Sequence, residues 1–197
     1  MLQSNRFCDA LVYAATLHAD QRRKLSGAPY VSHLLRVTGI VLEFGGDEDE
    51  AIAALLHDAV EDQGGASTRT DIQSRFGDRV AAIVDGCSDT DRQPKPPWRA
   101  RKKAALKRLR KSDPSVRLVV AADKLDNALS LAADYRRRGP EVWNLFRGGR
   151  DGTLWYYRSV VEVLGQREPQ RILDELRRAV VELERLVGGQ EGEQPGC

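Results

Sequence analysis

Residues 51–62 read AIAALLHDAVED, six apolar residues followed by a segment holding four ionisable side chains, His57, Asp58, Glu61 and Asp62. Apolar and polar residues do not alternate along the run, so it reads as a buried helix and not as a strand. An unpaired charge inside a core costs several kcal/mol or more, so such groups are normally paired, shifted to neutral or bound to a cation. On a continuous helix, residues four apart share a face, which would set Glu61 over His57 and Asp62 over Asp58. One helix would then offer ligands from one turn and acid/base groups from the next.

Outward from this run the pattern stays helical. Asp47 and Glu50 form a capping box before it, and Gly64-Gly65 ends it. Thr68 with Asp71 repeats the capping signature for a short helix ending at Gly77, and residues 78–87 continue as another. Upstream, helices are expected over 5–19 and 30–44, stopped by Gly45-Gly46 and joined by a basic loop over 20–29. Downstream, a proline-rich loop (89–97) precedes a basic helix (98–111). Asp113-Pro114 opens a long helix to about residue 137, buried over 116–122. Shorter helices follow over 141–146 and 153–164. A final one begins near Pro169 with the apolar face Leu173, Leu176, Val180, Leu183 and Val187. The expectation is an all-α, single-domain bundle of about eight to ten helices over 1–187, with a disordered Gly/Gln/Glu-rich tail over 188–197.

A net charge of +2 gives no global case for nucleic-acid or membrane partners. No apolar run approaches the roughly 20 residues of a membrane span, and the N-terminus lacks a secretory pattern, so a cytoplasmic protein is expected. The three cysteines, Cys8, Cys87 and Cys197, are far apart and without CxxC spacing. Any metal must therefore use imidazole and carboxylate.

Candidates for that set lie on other helices. His33 is flanked by Leu34, Leu35, Val37 and Ile40, and Asp123 follows an apolar run in VVAADKLDN, with Asn127 one turn on. Taken singly, His33 reads as a core histidine and Asp123 as one half of a salt bridge. Together with His57 and Asp58 they make a mixed N/O set from three helices that suits Mn, Fe or a related divalent ion better than Ca.

The order H…HD…D resembles the HD superfamily of metal-dependent phosphohydrolases. The blocks HADQRRKLSGAPYVSH, AALLHDAVED and ADKLDN are similar to those of the stringent-response alarmone hydrolases, particularly the small stand-alone enzymes that remove the 3′-pyrophosphate of (p)ppGpp. The resemblance implies an HD-type fold, a bound manganese held by His33, His57, Asp58 and Asp123, and a catalytic pair Glu61 and Asp62. It also implies substrate contacts by Arg23, Lys24 and Asn127 and by a late-helix tyrosine, matched here to Tyr156 with Tyr157 beside it. Three positions depart from the family pattern: Leu34 stands for a usual proline, Gln63 for a small hydroxyl residue, and Asp126 for an aromatic residue or histidine. A carboxylate at 126 would oppose a phosphate unless it points outward or binds something cationic.

The expected chemistry is hydrolysis in which the cation activates water and polarises a phosphoryl oxygen, with Glu61 and Asp62 moving protons. As a solvated helix end, that pair would have no such role. Arg22, Arg23 and Lys24 precede the His33 helix, where arginine's planar fork suits phosphate oxygens. Lys124 should point about 100° away from Asp123 on a helix. Residues 92–111 hold ten Lys/Arg and no acid, which reads as a flap bringing Lys102 or Lys103 to the phosphates. Two alternatives remain at this level: an HD-type nucleotidase or phosphatase acting on another nucleotide such as NADPH or dNMPs, favoured by Gln63 and Asp126, and a non-enzymatic nucleotide- or nucleic-acid-binding regulator, favoured by the basic segment. The sequence leaves the oligomeric state open.

Overall fold

The computed structural model describes residues 5–89, 96–165 and 170–189. In chain order the helices are α1 (Asn5–Leu17), α2 (Val31–Glu43), α3 (Glu48–Leu56), α4 (Ala59–Asp62), α5 (Ala66–Phe76), α6 (Asp78–Cys87), α7 (Trp98–Leu109), α8 (Pro114–Arg138), a 3₁₀ segment (Gly139–Leu145), α9 (Gly149–Leu164) and α10 (Gln170–Gly189). Among the described residues there is no strand, only one isolated bridge between Arg22 and Pro29. The all-α expectation holds. No helix among them is long and apolar enough to cross a membrane. The expected tail lies, from residue 190 on, outside the described residues, and so does Pro169.

α8 is the axis of the bundle, packed by α2, α3 and α6 along part of its length and by α10 along another. Its buried residues, among them Val116, Val119, Ala122, Leu125, Ala128 and Leu131, run along its length, so it is enclosed rather than one-faced. Asp113 starts it as expected: its carboxylate accepts from Ser115 N at 2.9 Å, and Pro114 takes a first-turn position where a missing N–H costs nothing. α10 lays Leu173, Leu176, Val180, Leu183 and Val187 into the core, the face read from its spacing. α3 opens with the complete Asp47/Glu50 capping box.

Two helix starts differ from the reading. α5 begins at Ala66, because Gly64 and Gly65 take positive φ and turn the chain directly into the helix. Thr68 is not its cap; its hydroxyl donates back to Gln63 O. Likewise α9 begins at Gly149, and Thr153 donates to Gly149 O at 2.7 Å from inside the helix. A threonine that accepts at an N-cap and one that donates back along a helix look alike in sequence.

The largest correction concerns residues 51–62. The single helix expected there breaks at His57-Asp58: α3 ends at Leu56, and Asp58, at φ −99° and ψ −6°, opens α4. Successive side chains on an unbroken helix diverge by about 100°, which would separate the imidazole from the carboxylate. The turn brings His57 Nε2 to 3.0 Å from Asp58 Oδ2.

Candidate metal centre and active site

Loop 20–29 places the first group of side chains. Arg23 N donates to Ala28 O at 2.9 Å, Gly27 N returns to Arg23 O at 2.9 Å, and Tyr30 N reaches Gln21 O at 2.9 Å. Gly27 closes this turn at φ 69°, a conformation costly for any residue with a Cβ. The loop thus holds Gln21 and Arg23 beside the start of α2, which carries His33.

His33 and His57 are both buried, and their rings meet edge to face with centroids 5.3 Å apart. His33 Nε2 lies 3.3 Å from Asp123 Oδ1 and 3.8 Å from Asp58 Oδ2. His57 Nε2 lies 3.7 Å from Asp123 Oδ1 and 3.0 Å from Asp58 Oδ2. Neither buried Nε2 has a hydrogen-bond partner, although each ring's Nδ1 is engaged, His57 with Ala54 O at 2.8 Å and His33 with Asp126 Oδ2 at 2.6 Å. Two unsatisfied imidazole nitrogens buried against two carboxylates fit a shared cation. His33, His57 and Asp58 each offer an atom within 4.8 Å of the others, and Asp123 Oδ1 approaches both imidazoles. Donors bonded to one ion at about 2.1 Å are separated by roughly 3 to 4 Å, the same scale.

The electrostatics match this arrangement. Burial disfavours charge on His57, but Asp58 and Asp123 outweigh it and hold the imidazole well above the usual histidine range. Burial likewise works against an ionised Asp123, yet Lys124 and the two imidazoles keep its carboxyl well below the ordinary value. Asp58 is lowered too, with His57 outweighing burial. Tyr30 donates its hydroxyl to Asp58 Oδ2 at 2.5 Å, and burial with that carboxylate pushes the phenol far up, so it stays a donor.

Around Asp123 the structure gathers more than spacing implied. Asn127 Nδ2 donates to Asp123 Oδ1, and Arg23 Nη1 donates to Asn127 Oδ1 at 3.0 Å. Lys124 does not point away: its flexible stem curls back to set Nζ 2.5 Å from Asp123 Oδ2. Lys102 and Lys124 both face the Tyr156 ring, at 4.6 and 5.7 Å from its centroid. His57, Asp58 and Asp123 form part of the wall of a cavity of about 960 Å³, large enough for a nucleotide, whose lining also includes Arg23, Lys24, Lys102, Asn127 and Tyr156. Tyr157, though largely buried, lines the same cavity.

Glu61 and Asp62 also line the cavity, on α4. Glu61 accepts from Asp89 N at 3.2 Å, with Arg101 Nη1 at 3.5 Å. Asp62 Oδ2 accepts from Gln21 Nε2 at 2.8 Å, and Gln21 Oε1 in turn accepts from His18 Nδ1 and Gln63 Nε2 at 2.6 and 2.7 Å. Gln63 is thereby occupied in holding Gln21. The basic segment, expected as a flap, is in its described part the docked helix α7. Trp98 lies against Gly148 and Gly152, Lys102 Nζ binds Asp89 Oδ2 at 2.6 Å, and Arg108 donates to Asp89 O at 2.6 Å. Lys103 is exposed, and only Lys102 of that pair lines the cavity. Sequence reading missed Tyr30, His18, Gln21, Arg36 and Arg101. The only signal for the first three was their place in the block that ends at His33.

Two buried imidazoles converging on two carboxylates, beside a cavity lined by Arg23, Lys24 and Lys102, have the donor set of a divalent-metal site. The chain belongs to the HD-domain family, whose model, described as HD domain, matches residues 10–154. It is similar to the guanosine-3′,5′-bis(diphosphate) 3′-pyrophosphohydrolase of Drosophila melanogaster, 34% identical over 82% of this chain and 86% of that one. It is also similar to the enzyme of that name from Aquifex aeolicus, 37% identical over 62% of this chain, but spans only 17% of that longer protein. Among solved structures it matches a metazoan ortholog of SpoT, described as hydrolysing ppGpp, with a TM-score of 0.77 and 29% identity over 92% of this chain and 97% of that one.

Proposed function

We propose that this protein is a manganese-dependent hydrolase that removes the 3′-pyrophosphate of (p)ppGpp-like nucleotides. The observation that carries the reading is the pair of buried, partnerless Nε2 atoms close to Asp58 and Asp123, beside a cavity whose lining includes Arg23, Lys24 and Lys102. The relatives named for this reaction support the substrate, and a nucleotide of this kind supports a cytoplasmic location.

In this reading His33, His57, Asp58 and Asp123 hold the cation, and the mixed nitrogen and oxygen donors favour Mn or Fe over Ca or Mg. When bound, the ion supplies Lewis acidity toward a phosphoryl oxygen and makes water a better nucleophile near neutral pH. Tyr30 fixes Asp58, and Lys124 with Asn127 fixes Asp123. Arg23 and Lys24 from the loop and Lys102 from α7 hold the phosphates, Asn127 keeps Arg23 in place, and Tyr156 offers a ring face to the nucleotide. Water oxygen bonds to the 3′-linked phosphorus as the bond to the 3′ oxygen breaks. Of Glu61 and Asp62, which line the cavity on α4, one accepts the water's proton and the other returns a proton to the leaving oxygen, giving a 3′-hydroxyl and pyrophosphate.

The test is to incubate metal-stripped protein, with and without Mn²⁺, with ppGpp, NADPH and deoxynucleoside monophosphates, following pyrophosphate and phosphate separately. Pyrophosphate released from ppGpp, lost on metal removal and in His57→Ala, is expected. Turnover of the other nucleotides alone, or full activity in His57→Ala, would overturn the reading.

A further inference from the structure

Asp126 departs from the family pattern and is among the most enclosed carboxylates of the site, its side chain 3% exposed. Three groups from two parts of the chain, α2 and the loop before it, converge on it. His33 Nδ1 lies 2.6 Å from Oδ2, Arg36 Nε lies 2.5 Å from Oδ1 with Nη2 3.3 Å from Oδ2, and Arg23 Nη2 lies 3.8 Å from Oδ2. The carboxylate faces these cations and a metal ligand, so it does not oppose a phosphate in the cavity.

The two site histidines are held differently. His57 Nδ1 meets a neutral backbone carbonyl, Ala54 O, whereas His33 Nδ1 meets a carboxylate. A carboxylate that accepts from Nδ1–H keeps the proton on that nitrogen, presents the Nε2 lone pair outward and makes the ring a stronger donor. Asp126 also closes a circuit. Its neighbour Asn127 accepts from the same Arg23 and donates to Asp123, which lies 3.3 Å from His33 Nε2. His33, Asp126, Arg23, Asn127 and Asp123 form one ring of contacts linking two metal ligands through a substrate-loop arginine.

We infer that Asp126 is the positioning residue of the metal centre, fixing His33 with its Nε2 lone pair toward the cation and tying that ligand to the phosphate-binding Arg23. The inference rests on the metal-centre reading above. Arg36, half exposed at the cavity's edge, holds the second oxygen and so sets the carboxylate's plane.

Calorimetric titration of metal-free protein with Mn²⁺ tests it. Asp126→Asn is expected to weaken Mn²⁺ binding about 10- to 100-fold, the range seen when a ligand's outer partner is lost. Arg36→Gln, which leaves the His33 contact, should weaken it far less. The visible absorption band of the Co²⁺-loaded protein should shift in Asp126→Asn and stay in place in Arg36→Gln, a change that looser packing alone does not produce. In the Zn²⁺-loaded wild type, nitrogen-15 spectra should show His33 protonated at Nδ1, a readout that needs no variant to fold. Mn²⁺ affinity in Asp126→Asn within about twofold of wild type, or a His33 bound through Nδ1, overturns the inference while the metal centre stands. A wild type that takes up no Mn²⁺ overturns the metal centre and this inference with it.

Discussion

Among the described residues Glu61 shows no contact with the metal-binding candidates of the kind Asp58 and Asp123 make; its carboxylate accepts from Asp89 N and lies 3.5 Å from the Arg101 guanidinium. That separation makes proton transfer and metal binding distinguishable. Glu61→Gln keeps the size and one acceptor oxygen but removes the base, so kcat for ppGpp should fall by about 10² to 10⁴ while Mn²⁺ affinity stays near wild type. Steady-state kinetics and calorimetry on the same preparation check both halves, and a large loss of metal affinity would make Glu61 a ligand instead. At this scale the sequence displayed the ionisable residues in apolar settings, because a buried His or Asp is conspicuous among Leu, Val and Ala. It did not display their partners. Arg23 and Asn127 bond across 104 positions, and Tyr30 and Asp58 across 28, separations about which local spacing is silent. Asp126 was conspicuous as a departure, but its contact with His33 needed α2 and α8 side by side.

α7 shows how an element is seated by few contacts. A Cβ on Gly148 would come within 2.6 Å of the Trp98 ring, and the indole is rigid. Gly148→Ala should therefore destabilise the protein by about 1–3 kcal/mol and raise KM as Lys102 shifts with the helix, read by denaturant unfolding and kinetics. The opposite wall of the seat is electrostatic. Asp89, its carboxylate only 11% exposed, binds Lys102 at 2.6 Å and Arg101 at 3.1 Å. Burial opposes its charge, but Lys102 leads the cations that hold it below the usual carboxylate value. A lowered folded value contributes stability that is full above about pH 4 and lost as pH falls through that lower value. Asp89→Asn should then cost about 1.5–3 kcal/mol at pH 7, with the gap from wild type closing below pH 4, as pH-resolved urea melts would record. From sequence this segment read as a basic helix acting as a flap toward the phosphates; the helix is there, but its docking on Asp89 was not legible, since periodicity reports charge and not which acid lies opposite. The break between α3 and α4 was hidden for a related reason. AIAALLHDAVED has no glycine or proline to mark it, and the turn there is recognised only by the convergence of His57 and Asp58 that it makes possible.

The bundle as a whole brings α2, the α3–α4 turn and α8 to one point, with His33, His57, Asp58 and Asp123 contributed from those three places. A ligand that bridges three elements in the folded state and has no such site in the unfolded chain stabilises by RT ln(1 + [L]/Kd), about 2.7 kcal/mol at a hundredfold excess over Kd. For a chain of 197 residues, at roughly 2–4 °C per kcal/mol, that is a rise in Tm of about 5–11 °C on adding Mn²⁺ to metal-free protein. The rise should also depend on pH. Metal binding requires a neutral imidazole, and His57 is held well above the ordinary histidine range by Asp58 and Asp123 once these outweigh burial. In the metal-free protein that raised value contributes stability that is full below about pH 6.5 and lost as pH rises through the folded value. Proton and cation therefore compete for the same nitrogen: at low pH the proton already satisfies the carboxylates, and at higher pH the metal takes its place. Thermal melts with and without Mn²⁺ between pH 6 and pH 8.5 should give a metal-induced shift that grows with pH and is absent in His57→Ala. A shift that is flat across this range, or that survives the substitution, would mean the cation binds elsewhere on the molecule.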